Sequence, residues 1–234
     1  MNTLIEIKNL TKKYYTKVAL ENFTMNFESG KIYGLLGPNG SGKTTLMKVI
    51  AGLHKANGGE TIVNGQPLSY KTKAFVAFMP TENYFPDNYK VKTVINYFAD
   101  MYKDFNKEKA TALVQKLGID INVKIKSLST GLLAKLKVAL TTSRDALIYM
   151  YDEPLNGLDI LAREVIIDTI ISTSAENKII IISSHIVDEI EKLFDNVVFI
   201  KEAHLELEGN AEELRTQKQM SIENIYKEIY RWLK

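Results

Sequence analysis

Residues Gly37 to Thr44 read GPNGSGKT, and their reading decides the fold. The order G-x-x-x-x-G-K-[ST] is that of a phosphate-binding loop, a motif that needs a buried strand before it and a helix after it. KIYGLL precedes the stretch and TLMKVIAGL follows it, so both are legible. The glycines let successive backbone N–H groups turn inward as a nest for phosphate oxygens. A helix beginning near Lys43 adds the positive end of its dipole. Gly37, Pro38, Asn39, Gly40, Ser41, Gly42, Lys43, Thr44 and Thr45 are therefore assigned to a nucleoside triphosphate. Lys43 reaches the outer phosphates as a point charge, and Thr44 offers its hydroxyl to Mg²⁺.

Working outward, the first sixty or so residues alternate polar and apolar, as in LIEIKNL and FTMNFESG, and read as strands. ETIVNGQPL reads as a strand and turn, AFVAFM as a buried strand. The middle of the chain changes period. Val91, Val94, Ile95, Phe98 and Tyr102 follow helical spacing, as do Ala110, Leu113, Val114 and Leu117, with Gly118 as the stop. Beyond Ser127 the order is the strand ALIYMY, a helix after Asp159, the strand KIIIISS, a helix around IVDEIEKLF and the strand NVVFI. Such alternation predicts a mostly parallel sheet covered by helices on both faces, with the helical middle inserted into it. The closing SIENIYKEIYRWLK predicts an amphipathic helix whose Ile222, Ile225, Ile229 and Trp232 pack on the domain.

In open α/β sheets ligands lie beyond the carboxyl ends of the strands. Asp152 and Glu153 follow ALIYMY, and His185 follows KIIIISS, so parallel strands bring all three to the edge that carries the phosphate loop. An aspartate there is suited to hold Mg²⁺ through its water shell, and the adjacent glutamate to polarise an attacking water.

Bulk composition narrows the alternatives. The 30 basic and 28 acidic residues leave a net charge of +2, which gives no basic stripe for nucleic acid. Cysteine is absent, which excludes disulfides, thiolate metal sites and thiol catalysis. The longest apolar runs fall far short of the ~20 residues a bilayer requires. A soluble chain, or one that meets a membrane through another protein, is expected.

With this order of parts, from about Leu4 to about Gly209, the chain resembles the ATP-binding-cassette (ABC) ATPases. GPNGSGKT is similar to their Walker A loop, ALIYMYDEP to their Walker B strand and LNGLD to their D-loop with Asp159. His185 occupies the switch-histidine position, and LSTGL resembles the signature usually written LSGGQ, with Ser129 and Gly131 retained. Tyr14 matches the aromatic that stacks on adenine, with Tyr15 next door as the alternative.

The resemblance implies an α/β fold: a P-loop NTPase (RecA-like) core, an N-terminal antiparallel β subdomain and an inserted α-helical subdomain at about 83–140. It divides the chain into a nucleotide-binding domain over 1–209 and a short helical tail over 210–234. It also implies ATP and Mg²⁺ as ligands. Glu153, His185 and Lys43 become the hydrolytic residues, and Thr44, Asp152 and Thr81 the metal-facing ones. Thr81 stands where the family often carries glutamine, and either it or Glu82 takes that role. Ser129, Gly131 and Asp159 would meet the nucleotide of a second cassette docked head to tail.

Separate transmembrane permease subunits would complete a transporter, at whose cytoplasmic face this chain sits peripherally, and the tail resembles those of export cassettes. The alternative is a soluble ABC ATPase of translation or DNA maintenance. Ser129 lies 85 positions after Thr44, too few for a long coiled coil, and a single P-loop excludes a tandem factor. No N-K-x-D is present for reading guanine.

Overall fold

The computed structural model describes residues 2–188 and 190–231. Trp232, one of the residues expected on the closing helix, lies outside that range. The amino-terminal third is β1 (Thr3–Tyr14), β2 (Lys17–Glu28), β3 (Lys31–Leu36), α1 (Lys43–Ile50), β4 (Gly58–Val63), β5 (Gln66–Pro67) and β6 (Val76–Met79). The helical middle is α2 (Val91–Met101), α3 (Lys107–Lys116) and α4 (Thr130–Thr142). Then come β7 (Ile148–Asp152), α5 (Ile160–Ile171), β8 (Ile179–Ser184), β9 (Asn196–Lys201), β10 (His204–Asn210), α6 (Ala211–Lys218) and α7 (Ile222–Tyr230).

These strands form two sheets. One is antiparallel, in the order β2-β1-β4-β5; the other runs β10-β9-β3-β8-β7-β6 and is parallel except for the edge strand β10. The central strands alternate with period two, as a sheet buried on both faces must. Ile148 and Met150 of β7, with Ile179 and Ile181 of β8, join α1 and the antiparallel sheet in one core. Tyr149, Tyr151, Ile180 and Ile182 face the other way and pack with α5, α6 and α7. The expected helical cover therefore holds on one face, while the second sheet shares the other with α1.

The insertion has a core of its own, built from Val91, Val94, Ile95 and Phe98 of α2, Ala110 and Val114 of α3, and Leu136, Ala139 and Leu140 of α4. Helix α3 stops where Gly118 takes a left-handed φ of +78°. Helix α4 is buried on more than one side because it serves two cores: Val138 packs into the sheet side while Leu136 packs into the insertion.

One expected helix is absent among the described residues. Those of IVDEIEKLF form a 3₁₀ turn at Glu191–Leu193. The Ser184 hydroxyl bonds Ile186 at both its N–H (2.9 Å) and C=O (2.7 Å), a local turn that competes with helix initiation. Buried Val187 and Ile190 supply the apolar spacing that mimics a helix. The closing segment does form α7, with Ile222 and Ile225 buried and Ile229 packed against the same core. The Tyr230 hydroxyl lies 2.9 Å from the Ile200 carbonyl and 3.2 Å from that of Leu36, the residue just before the phosphate loop.

Candidate functional site

Strands β3, β7 and β8 lie side by side with Leu36 opposite Ser184 and Asp152 opposite Ser183. That register alone brings the ends of three strands, and the loops that leave them, to one edge.

The loop after β3 is built for close approach. Gly42, at φ +122°, caps α1 without a side chain, and a Cβ there would meet the Ala19 carbonyl at 2.6 Å. The first N–H groups of α1 consequently have no side-chain acceptor. Gly40, at φ +82°, faces open space. Lys43 is 5% exposed and folds across the loop, donating to the Gly37 carbonyl (2.6 Å) and the Pro38 carbonyl (3.2 Å). Its Nζ also lies 3.3 Å from Glu153 Oε1.

Asp152 is fully buried and well held. Its Oδ1 accepts from the Ser183 hydroxyl (2.6 Å) and its Oδ2 from the Thr44 hydroxyl (2.8 Å). The Thr81 hydroxyl donates to its backbone oxygen at 3.1 Å. Glu153 adopts a left-handed φ of +50°, its N–H donating to Ser183 Oγ at 2.9 Å. His185 Nδ1 lies 2.8 Å from Glu153 Oε2. Two buried oxygens, Ser41 Oγ and Glu153 Oε1, lack hydrogen-bond partners among the described residues; the Lys43 contact is an ion-pair distance without hydrogen-bond alignment.

Of these groups Gly40, Gly42, Lys43, Thr44 and Glu153 border a cleft of about 450 Å³ that also takes in Tyr14, Lys17, Thr45, Thr81, Glu82 and Asn156. Tyr14 is half-buried, its hydroxyl bonded to His54 Nδ1 and its ring edge-on to that imidazole. Tyr15 is wholly exposed at a left-handed turn, φ +52°. Glu82 carries a hydrogen bond from Lys48 (2.9 Å), which holds its carboxyl below the usual carboxylate range.

The donors suit Mg²⁺ in kind. Thr44 and Asp152 present hard oxygens to each other, and no cluster of three or more His, Cys, Asp or Glu side chains occurs among the described residues. A cation held by one carboxylate and a hydroxyl must complete its shell from phosphate and water, which is the habit of Mg²⁺ rather than of Zn²⁺ or Ca²⁺.

Ser129, Gly131 and Asp159 are not at this cleft. Ser129 is exposed and caps α4, accepting from Leu132 N–H at 3.3 Å. Asp159 caps α5, accepting from Ala162 N–H at 2.8 Å. The two loops adjoin each other: a Cβ on Gly131 would lie 3.5 Å from Leu158, and one on Gly157 would lie 3.9 Å from Thr130.

Three participants carry no sequence signal of the motif kind. Ser183 looks like any strand-end serine, and His54 like a loop histidine. Lys137, which donates to the Thr81 carbonyl at 2.7 Å, could have been noticed as a lone cation between Leu136 and Val138. Burial pushes its ammonium down to about 8.

A glycine loop, the buried Asp152, the half-buried Glu153 and a histidine on one strand edge are suited to nucleotide chemistry, and comparison with known proteins gives the family. The sequence profile of the ABC transporter family matches residues 20–156, more than half of the chain. A lantibiotic transport ATP-binding protein, SrtF of Streptococcus pyogenes, is 32% identical over 88% of this chain and 90% of its own length. The ABC transporter ATP-binding protein YtrB of Bacillus subtilis is 29% identical over 92% of this chain and 74% of its own length. Among solved structures, a dimeric ATP-binding cassette in a post-hydrolysis state with ADP and phosphate superposes with a TM-score of 0.78 at 21% identity, covering 88% of this chain and 98% of that one. The chain belongs to the ABC transporter family, as an ATP-binding subunit with ATPase activity.

Proposed function

We propose that this chain is a peripheral subunit at the cytoplasmic face of a membrane, where it binds ATP and Mg²⁺ between two cassettes and drives export through separate permease subunits. The observation that carries the reading is the shared strand edge: the cradle after β3, Asp152-Glu153 after β7 and His185 after β8 adjoin across paired strands. The unpaired Ser41 Oγ and the open Gly40 support a phosphate as the missing partner. Thr44, Asp152 and Thr81 would hold Mg²⁺, which when bound neutralises charge on the terminal phosphates.

In this reading Lys43 turns from the Gly37 and Pro38 carbonyls to the outer phosphates. Glu153 takes the proton of the attacking water, and His185, bonded to its other oxygen, keeps the carboxylate aimed. Ser129 and Gly131 sit on an exposed helix start, suited to the γ-phosphate of ATP on a second chain rather than their own. Asp159, on the adjoining loop, belongs to the same contact. Among the described residues no helix is long and apolar enough to cross a membrane, which supports separate permeases. Export is the direction supported by the tail SIENIYKEIY, which resembles those of bacterial export cassettes.

Glu153→Gln tests the scheme. The amide keeps the shape of the carboxylate but accepts no proton, so ATP binding persists, turnover falls by ~10²-fold or more, and an ATP-bound dimer accumulates. A monomeric elution profile for that variant in ATP and Mg²⁺ counts against the head-to-tail scheme.

A further inference from the structure

Lys137 stands in the middle of α4, between the fully buried Leu136 and Val138, and is itself 4% exposed. Burying an ammonium is costly unless acceptors hold it, and a side chain that only packed would be better apolar. Its Nζ donates to the Thr81 carbonyl at 2.7 Å, where the chain leaves β6. The Thr81 hydroxyl donates onward to the Asp152 backbone oxygen at 3.1 Å. The Asp152 carboxylate in turn meets the Thr44 hydroxyl at 2.8 Å. Three hydrogen bonds, linked through the residues Thr81 and Asp152, therefore join α4 to Thr44 at the end of the phosphate loop.

The same stretch of chain grips β6 at its other end. Arg144, just beyond α4, donates through Nη1 to the Val76 carbonyl (2.6 Å) and through Nε to Asp104 (3.0 Å). Strand β6 is thus fastened to α4 and its continuation both where it starts and where it exits. The amino end of α4 is Ser129, exposed and away from the cleft.

We infer that Lys137 is a positioning residue for hydrolysis: it ties the Thr81–Glu82 loop to α4, so that a shift of α4 at Ser129 reaches Asp152 through Thr81. It does not line the cleft and acts only through the loop. The inference rests on the nucleotide reading above. It adds a device through which engagement of one cassette's signature loop tunes that cassette's own site.

The test uses the full chain with Lys137→Met, Thr81→Val and their combination. Lys137→Met cuts the first link, and Lys137→Gln serves if it fails to fold; Thr81→Val cuts the second link and also removes a hydroxyl assigned to Mg²⁺, so its ATP affinity is compared in EDTA. In nucleotide-free protein, amide hydrogen exchange over residues 80–85 is expected to rise at least fivefold in Lys137→Met. Affinity for ATP in EDTA is expected to stay within twofold of the parent, because the cradle is untouched. With Mg²⁺, kcat is expected to fall about tenfold at unchanged KM, and the double variant to be no worse than the poorer single one, as links in one line behave.

Parental kcat and exchange in Lys137→Met overturn the inference. So do multiplying effects in the double variant, or a kcat loss that merely tracks a lowered thermal midpoint. Glu153→Gln measured alongside separates the two levels. If it loses turnover while Lys137→Met does not, only the role of Lys137 fails; if it keeps turnover, the reading of the cleft itself fails.

Discussion

Glu153 is held in a left-handed conformation that a non-glycine residue adopts only where its surroundings impose it, at a cost of ~1–3 kcal/mol. What offsets that cost is Ser183, which accepts the Glu153 N–H and donates to Asp152 through one buried hydroxyl. Ser183→Ala should therefore do more than remove one hydrogen bond. It leaves a buried N–H orphaned and a buried carboxylate one donor short, a loss of ~1–3 kcal/mol for the orphaned group. The expected outcome is a lowered urea midpoint together with reduced turnover; a midpoint and turnover equal to the parent's contradict this account of the Glu153 backbone. Lys43→Ala is the complementary change in the cradle. Without the ammonium, which now rests on the Gly37 and Pro38 carbonyls, ATP affinity in titration should fall by at least a hundredfold. Retained affinity contradicts the assignment of the loop to phosphate.

At the level of elements, β3 is the strand on which the site hangs, and its weakest tolerance is at Gly34. A Cβ there would lie 2.5 Å from the ring of Phe194, itself buried against the sheet. Gly34→Ala should cost ~1–3 kcal/mol by overpacking, read as a lowered thermal midpoint, and shortening the ring with Phe194→Leu should recover part of it. A neutral Gly34→Ala removes the close packing of β3 on Phe194 as a constraint. Helix α4 offers a change of the opposite kind. Ser129→Arg alters an exposed cap outside the chain's own cleft, so ATP binding by the single chain should survive while turnover, which in the proposed scheme draws on a second chain, should fail. Unchanged hydrolysis refutes action across the interface. The strands and the glycine loop were legible because buried parallel strands and such a loop each leave a dense local signature. The segment IVDEIEKLF was misread because burial of Val187 and Ile190 copies helical spacing, while a serine-centred turn decides the backbone. Ser183, His54 and Lys137 stayed illegible for another reason. Their partners lie 31, 40 and 56 positions away, and only sheet register and helix docking bring them together.

Across the whole molecule, the surface that remains unexplained by nucleotide chemistry lies where the insertion meets the core. A hollow of about 320 Å³ is bordered by Leu53, Phe78, Pro80, Tyr84, Phe98 and Tyr102, and a neighbouring one of about 230 Å³ by Phe85, Pro86, Tyr89 and Tyr97. Tyr84, Tyr89, Tyr97 and Met101 are each more than 40% exposed. An exposed apolar and aromatic surface of this kind is suited to contact with another protein. In the transporter reading it offers a docking surface for a permease subunit, and it adjoins the cleft along the chain: Pro80 borders the hollow and Thr81 borders the cleft. Tyr97→Lys places a hydrated charge on the exposed rim without touching either core, because Tyr97 is 54% exposed. ATP affinity and the thermal midpoint should stay at the parental values, while recovery with membrane subunits after gentle detergent extraction should drop by tenfold or more. If the variant co-purifies as well as the parent does, the groove is not the docking surface, and the coupling of nucleotide to membrane must leave the molecule by another face.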